Sequence, residues 1–183
     1  MSNKLTPISE PYADDVAAIL KHYPQQNGYL LKLFRLFANS ARFLTKGVPN
    51  LLDKESPLSM REREIVILRV TANLNCEYEW GVHITAFAKH VELNTDQIAA
   101  TKTGPANAEC WDDREQLLLK AVDELTTGGR IEPATYGEFA ATWTKDQQLE
   151  VFALAGAYST VSFVANSTGL ENEEFGARFP TGS

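Results

Sequence analysis

At 183 residues with a net charge of −7, and with no Lys/Arg cluster to offset the acidic excess, the chain is unsuited to a nucleic-acid surface or to adhesion on anionic lipid. An apolar fraction of 44% and a charged fraction of 22% fit a soluble globular protein, one domain over residues 1–183 with a sizeable core. The start MSNKLTPISEPYADD lacks a signal peptide's apolar stretch, no run approaches the roughly 18 apolar residues a membrane span needs, and two cysteines are too few for a disulfide scaffold, so the cytoplasm is the expected location.

Along the chain, a 3.6-residue apolar period recurs and strand-like alternation is scarce. Residues 12–23 read as a short amphipathic helix stopped before Pro24. A second helix is expected over 29–46, its stripe formed by Leu30, Leu33, Phe34, Phe37, Ala41 and Leu44. That aromatic richness suits core packing, and equally a pocket or a partner subunit. After a loop over 47–57, Ser59 and Glu62 form a capping box that opens an apolar, central helix. Asn73 suits a left-handed C-cap, and Asn75 an N-cap for the next helix, which should run to about Val91. A short helix ends at Gly104-Pro105, and another, begun by acidic residues, stops at Gly128-Gly129. Pro133 opens a small helix. The last long one, over 146–167, carries Ala153, Ala155, Gly156, Ala157 and Ser159 and is apolar enough for burial or a subunit interface. The expected fold is all-α, a bundle of about seven helices.

The segment NCEYEWGVHITAFAKH concentrates the chemistry. Helical spacing stacks Cys76, Glu79 and His83 on one face. In the first turn of its helix, Cys76 meets unpaired N–H groups that favour a thiolate. A free cysteine is more commonly a small buried hydrophobe. Glu77 suits a first-turn acid that stabilises the helix, whereas Glu79 shares a face otherwise built for burial. Glu79 and His83, at i and i+4, allow a carboxylate to orient an imidazole and raise its basicity. The plain alternative for His83 is a hydrogen-bonded structural histidine. His90 should drift to the surface. One E-x-x-x-H offers two ligands where zinc needs three or four, so neither a metal nor a cofactor is expected.

The stretch LSMREREIVILRVTANLNCEYEWGVHITAFAKHVELNTDQIAA resembles the signature helices of the carboxymuconolactone decarboxylase family, which includes the alkylhydroperoxidase D proteins. The resemblance continues in DDREQLLLKAVDEL and DQQLEVFALAGAYSTVSFVANSTGL, covering about residues 30 to 170. It implies an all-helical bundle, homo-oligomers (often trimers or hexamers) and a small-molecule substrate. In the peroxidase branch a Glu precedes Cys-x-x-Cys by twelve residues, and a His follows the second cysteine by four. Glu64, Cys76 and His83 fall on matching positions, but the second cysteine is Glu79 here. No intrahelical disulfide can form, so the dithiol mechanism does not carry over. The decarboxylase branch resembles the Glu79–His83 pair and does not require the cysteine.

Three functions therefore stand side by side. The leading expectation is an acid–base enzyme, a decarboxylase or isomerase acting on a small unsaturated acid or lactone. His83 would be the proton donor, Glu79 its orienting base and Glu64 a second relay carboxylate, with an arginine among Arg61, Arg63 and Arg69 needed for a substrate carboxylate. The alternative is a single-cysteine peroxidase using Cys76, its thiol lowered in pKa or relieved of its proton by Glu64, His83 and the helix start, and resolved by Cys110 or an external thiol. The third is a non-catalytic family member in which the Glu–His pair stabilises packing.

Overall fold

Capping explains where most of the helices begin. In the computed structural model, which describes residues 4–25 and 28–181, helices start behind Ser59, Asn94, Asp112 and Thr144. Each of these caps accepts the N–H three residues on, and the Glu or Gln at that position reaches back to the cap's own N–H. Nine helices result among the described residues: α1 Asp14–Leu20, α2 Lys32–Phe37, α3 Ala41–Lys46, α4 Met60–Asn73, α5 Glu77–Phe87, α6 Thr95–Thr103, α7 Asp113–Gly128, α8 Pro133–Thr142 and α9 Lys145–Thr168. Gly129 (φ 72°) and Gly169 (φ 62°) end α7 and α9 in the left-handed conformation that glycine adopts without steric penalty.

The all-α fold agrees with the sequence, and three local boundaries differ. The aromatic helix expected over 29–46 is two helices, because Ser40 turns extended (φ −145°) and its side chain caps α3 through the Phe43 N–H. Between α4 and α5 the left-handed residue is Asn75 (φ 53°), not Asn73. The Asn75 side chain is taken by Lys102 Nζ at 2.6 Å, and Cys76 becomes the N-cap of α5. α5 itself stops at Phe87 rather than near Val91, the chain turning through Glu92 at φ 56°.

α4 is the central element and packs against α5, α6, α7 and α9. Ile65, Val66, Ile67, Leu68 and Val70 are all buried, each contributing about 1.5–3 kcal/mol by removal from water. They belong to a main core shared with α7, α8 and α9. A second core lies under α1–α3, where Val16, Leu20, Leu33, Phe37 and Leu44 meet Cys76, Tyr78 and Val82 of the α5 region. The aromatics of α2 and α3 are thus spent within the chain, with the Phe37 and Phe43 rings packed at 4.9 Å and tilted by 59°. α5 sits where the cores meet, with Trp80 in the main one and Tyr78 and Val82 in the other.

α9 corrects one expectation from composition. It is long and apolar enough to cross a membrane by that test alone, but Val151, Leu154, Ala157, Tyr158, Val161 and Ala165 are packed in the bundle. Its apolarity is that of a core helix, with Leu149 and Phe163 left on the outer face.

The tail after α9 straps back along α5. Ala177 N–H donates to the Gly81 carbonyl at 3.1 Å, and a Cβ on Gly81 would strike the Ala177 carbonyl oxygen, so the close approach requires glycine. Glu77 accepts from Phe179 N–H (2.8 Å) and Asn172 Nδ2 (2.5 Å). Glu173, buried, accepts from Tyr78 Oη (2.7 Å), Tyr29 Oη (2.8 Å) and Lys32 N–H (2.7 Å), joining the tail to α5 and α2.

Candidate active site

The reversal at Leu74–Asn75 lays α5 against α4 and brings Glu64 to His83, nineteen residues apart. Glu64 Oε2 lies 2.8 Å from His83 Nδ1, and both side chains are buried. On the other ring nitrogen, Nε2, the Tyr158 hydroxyl approaches to 3.2 Å and Glu79 Oε1 to 3.5 Å. Tyr158 stands edge-on to the imidazole (centroids 5.2 Å, interplanar 86°) and Phe87 flanks it at 5.2 Å. Cys76, fully buried at 0% exposure, is the N-cap of α5 and lies close enough to Glu79 and to Ser162 for both to act on its thiol.

The structure thus gathers Cys76, Glu79, His83 and Glu64, with their relations altered. Glu64, not the i,i+4 partner Glu79, makes the short bond that orients the imidazole, and Glu79 shares Nε2 with Tyr158. The second oxygen of Glu79, Oε2, is buried without a hydrogen-bond partner. Tyr158 and Ser162 escaped the sequence reading. Tyr158 is the one aromatic in the run LAGAYST, and that isolation among small residues was its only signal.

Charge follows from these contacts. Burial disfavours a charged imidazole, but the carboxylate of Glu64, by charge and hydrogen bond, and then that of Glu79 outweigh it and lift His83 to a pKa of about 10. At neutral pH the ring is an imidazolium between two carboxylates. Burial pushes the Cys76 thiol up, with the Glu79 carboxylate adding to the effect, and the Glu79 backbone and the Ser162 side chain offset it in part. The lowering expected from the helix start is therefore overruled by desolvation, and the resting group is a thiol. Burial, then the carboxylates of Glu79 and Glu64, also hold Tyr158 protonated.

Of the three arginines, Arg61 pairs with Glu115 (2.6 Å) and Arg69 with Asp123 (2.5 and 2.7 Å). Arg63 has no carboxylate partner among the described residues: its Nη1 donates to the Leu51 (3.4 Å) and Asp53 (2.8 Å) carbonyls, and its buried Nε is unpaired. Cys110 is free and half-buried at the rim of the main core, while Cys76 lies in the second core. His90 is exposed. Among the described residues no group of three or more His, Cys, Asp or Glu side chains is arranged to hold a metal ion. Two surface cavities, of about 240 and 210 Å³, include none of the four residues, and the cluster is closed to water.

No curated protein matches the chain. Among solved structures, an uncharacterized peroxidase-related protein from Silicibacter sp. superposes with a TM-score of 0.76 at 18% identity, over 95% of this chain and 96% of that one. A peroxidase-related protein from Ralstonia eutropha described as an alkylhydroperoxidase AhpD core gives 0.73 at 16%, covering 94% and 95%. The debrominase Bmp8, in a form with one cysteine replaced by alanine and in complex with 2,3,4-tribromopyrrole, gives 0.77 at 12%, covering 96% and 94%. At these identities the likeness is one of fold. The carboxymuconolactone decarboxylase family signature matches residues 41–124, the segment that carries Glu64, Cys76, Glu79 and His83. The match places a carboxymuconolactone decarboxylase family segment over residues 41–124, and the chain shares its all-helical fold with these peroxidase-related structures.

Proposed function

We propose that the chain is a single-cysteine thiol reductant of small molecules, of peroxidase type, with Cys76 as the nucleophile. The observation that carries this reading is the position of Cys76: it is fully buried at the N-cap of α5, where its thiol feels the carboxylate of Glu79, which in turn lies 3.5 Å from His83 Nε2. A thiol beside a base and an acid has what peroxide reduction requires. The fold neighbours described as peroxidase-related, and the debrominase solved with its cysteine replaced, favour this reading over the acid–base lyase.

The chemistry closes without another resident group. Glu79 takes the Cys76 proton, and the thiolate attacks the terminal oxygen of a hydroperoxide. An S–O bond forms as the O–O bond breaks, and the alkoxide leaves with a proton from His83 Nε2, directly or through the Tyr158 hydroxyl. The proton on Glu79 then returns to His83, 3.5 Å away, so that thiol plus hydroperoxide give sulfenic acid plus alcohol. A small external thiol condenses with the sulfenic acid, releasing water, and a second one releases Cys76 and departs as a disulfide. Glu64 keeps the imidazole oriented throughout and favours its return to the charged form. Substrate entry requires the closed cluster to open, because Cys76 is 0% exposed.

A second reading remains tied to one observation. The Glu64–His83–Glu79 relay is complete without the sulfur, which suits a decarboxylase or isomerase acting on a small unsaturated acid or lactone. Hydroperoxides and lactones assayed side by side separate the two. Peroxide turnover with sulfenic acid on Cys76 by mass spectrometry supports the thiol reading; lactone turnover that survives Cys76→Ser, with Cys76 left unoxidised by peroxide, replaces it. We also infer a homo-oligomer from Leu149 and Phe163 exposed at 65% and 59% on α9, the family resemblance implying a trimer or hexamer. Sedimentation showing a monomer at micromolar concentration would count against it.

A further inference from the structure

The two cores are tied together in different ways. In the main one, α4, at 14 residues, packs along α5, α6, α7 and α9. The second core is closed by α1, α2 and α3, of 7, 6 and 6 residues, lengths too short for a helix to be stable by itself in water. α1 and α2 pack on α3, while no helix of this layer runs closely along a helix of the bundle. Side chains bridge the gap: Val16 and Leu20 of α1 and Leu44 of α3 share a core with Cys76, Val82 and Val161.

The polar ties gather at two clamps that bound the layer. At the start of α2, Tyr29 Oη (2.8 Å) and the Lys32 N–H (2.7 Å) donate to Glu173, the Leu33 N–H to Tyr78 Oη (3.1 Å), and Lys32 Nζ to the Asn172 carbonyl (3.0 Å). In the loop after α3, the Asp53 carbonyl accepts from Arg63 Nη1 (2.8 Å) and the Pro57 carbonyl from Gln147 Nε2 (3.1 Å), and Ser56 Oγ donates to Glu150 (2.9 Å). Among the described residues no hydrogen bond or ion pair joins α1 or α3 to the bundle. Those two helices rest on the core of Cys76 by apolar contact alone, which is non-directional and separates without stranding a donor or acceptor.

We propose that the α1–α3 layer is a lid, which lifts from Cys76 between these two clamps while the main core stays folded. Lifting wets one apolar face and leaves the clamps intact, so it requires only part of the free energy of global unfolding. The proposal rests on the reading that Cys76 is the group a reactant must reach, and it names the way in. The opposite approach, past the tail, is pinned to α5 at Glu77, Gly81 and Tyr78.

The test is alkylation of the native, full-length chain by iodoacetamide, with mass spectrometry following Cys76 separately from the half-buried Cys110. Leu20→Ala weakens the closed lid, and Leu119→Ala, buried in α7, weakens the main core. Leu20→Ala should speed alkylation of Cys76 by about 30-fold or more. Leu119→Ala should leave it within about threefold of wild type, although both variants lower the urea midpoint. Should either leucine variant fail to fold, Val16→Ala and Val122→Ala are the milder pair. Equal acceleration by the two variants would mean that Cys76 is reached only through global unfolding, and no acceleration by Leu20→Ala that it is reached another way; either result overturns the lid. Hydrogen exchange should show the amides of α1–α3 opening as one group ahead of α4 and α7, and α4 exchanging as fast as α1–α3 would also overturn it. Alkylation needs no turnover, so the two readings fail separately. Cys76 alkylated through the lid but left unoxidised by peroxide sinks the thiol reading alone, and Cys76 oxidised by peroxide while both variants speed alkylation equally sinks the lid alone.

Discussion

Two buried carboxylates sit on the same stretch of structure and are treated in opposite ways. Glu173, on the tail strap, has three donors: the hydroxyls of Tyr29 and Tyr78 and the N–H of Lys32. Glu79, on α5, has an ion-pair contact at 3.5 Å on one oxygen and nothing on the other. The two faces of α5 repeat the contrast, since Glu77, Gly81 and Thr85 are matched atom for atom by the tail, while Cys76, Glu79 and His83 are not. A buried charge that is fully satisfied belongs to the architecture. One left partly open, at a stability cost, belongs to chemistry.

The contrast can be broken most sharply by activity. Cys76→Ser should lower hydroperoxide reduction by at least about 100-fold, since an alkoxide does not replace a thiolate at neutral pH, and Glu79→Gln by about 10- to 100-fold through loss of the base. Stopped-flow consumption of a hydroperoxide measures both. Equal activity in wild type and Cys76→Ser would move Cys76 to the structural side of the comparison.

Stability should sort the two carboxylates the other way. Glu173→Ala strands three donors and should cost about 3 kcal/mol in urea unfolding, with turnover per folded molecule unchanged. Glu79→Gln should cost less than about 1 kcal/mol, because it removes a charge that was never fully compensated. A Glu79→Gln loss as large as that of Glu173→Ala would erase the distinction.

The imidazolium predicts a pH profile. His83 titrates near 10 in the folded chain, against an ordinary value of 6.5, so the native state binds the extra proton. Its contribution to stability is whole below about pH 6.5 and is lost as pH rises through 10. Urea midpoints should therefore fall from pH 7 to pH 10, and His83→Gln should flatten that fall. A flat wild-type profile would mean that Glu64 and Glu79 do not hold the ring charged.

The smallest effect concerns the matched face. Gly81→Ala should loosen the strap and destabilise the chain, whereas Gly137→Ala, in exposed α8 with nothing near its Cβ, should stabilise it by about 0.5–1 kcal/mol. Opposite signs in thermal denaturation check the pair.

Much of this was legible in the sequence where the cause is local. The Ser59–Glu62 capping box and the stops at Gly104 and Gly128-Gly129 place helix ends within a few residues and periodicity identifies α4 as central, while the boxes at Asn94, Asp112 and Thr144 and the Gly169 stop are seen in the structure. Cys76, Glu79 and His83 follow from spacing on one helix, and Glu64 from the family pattern. Contacts between distant segments were not legible. That Glu64 rather than Glu79 takes Nδ1 depends on how α4 and α5 pack, and Tyr158 arrives from α9, 75 residues beyond His83. The break at Ser40 was missed because a serine that caps the following turn outweighed an apolar stripe continuing on both sides of it.

The origin of Tyr158 in α9 has a consequence for the order of synthesis. During translation α4 and α5 emerge together, with Glu64 and His83 able to meet, but the helix that roofs them and the tail that pins α5 follow only later. Until then the charged pair remains wet and the apolar flank of α4 uncovered, so the nascent chain has an interval in which its most hydrophobic surfaces await their partner. Sealing of the cluster therefore waits on α9, and a pause between α8 and α9 is where a chaperone would have most to hold.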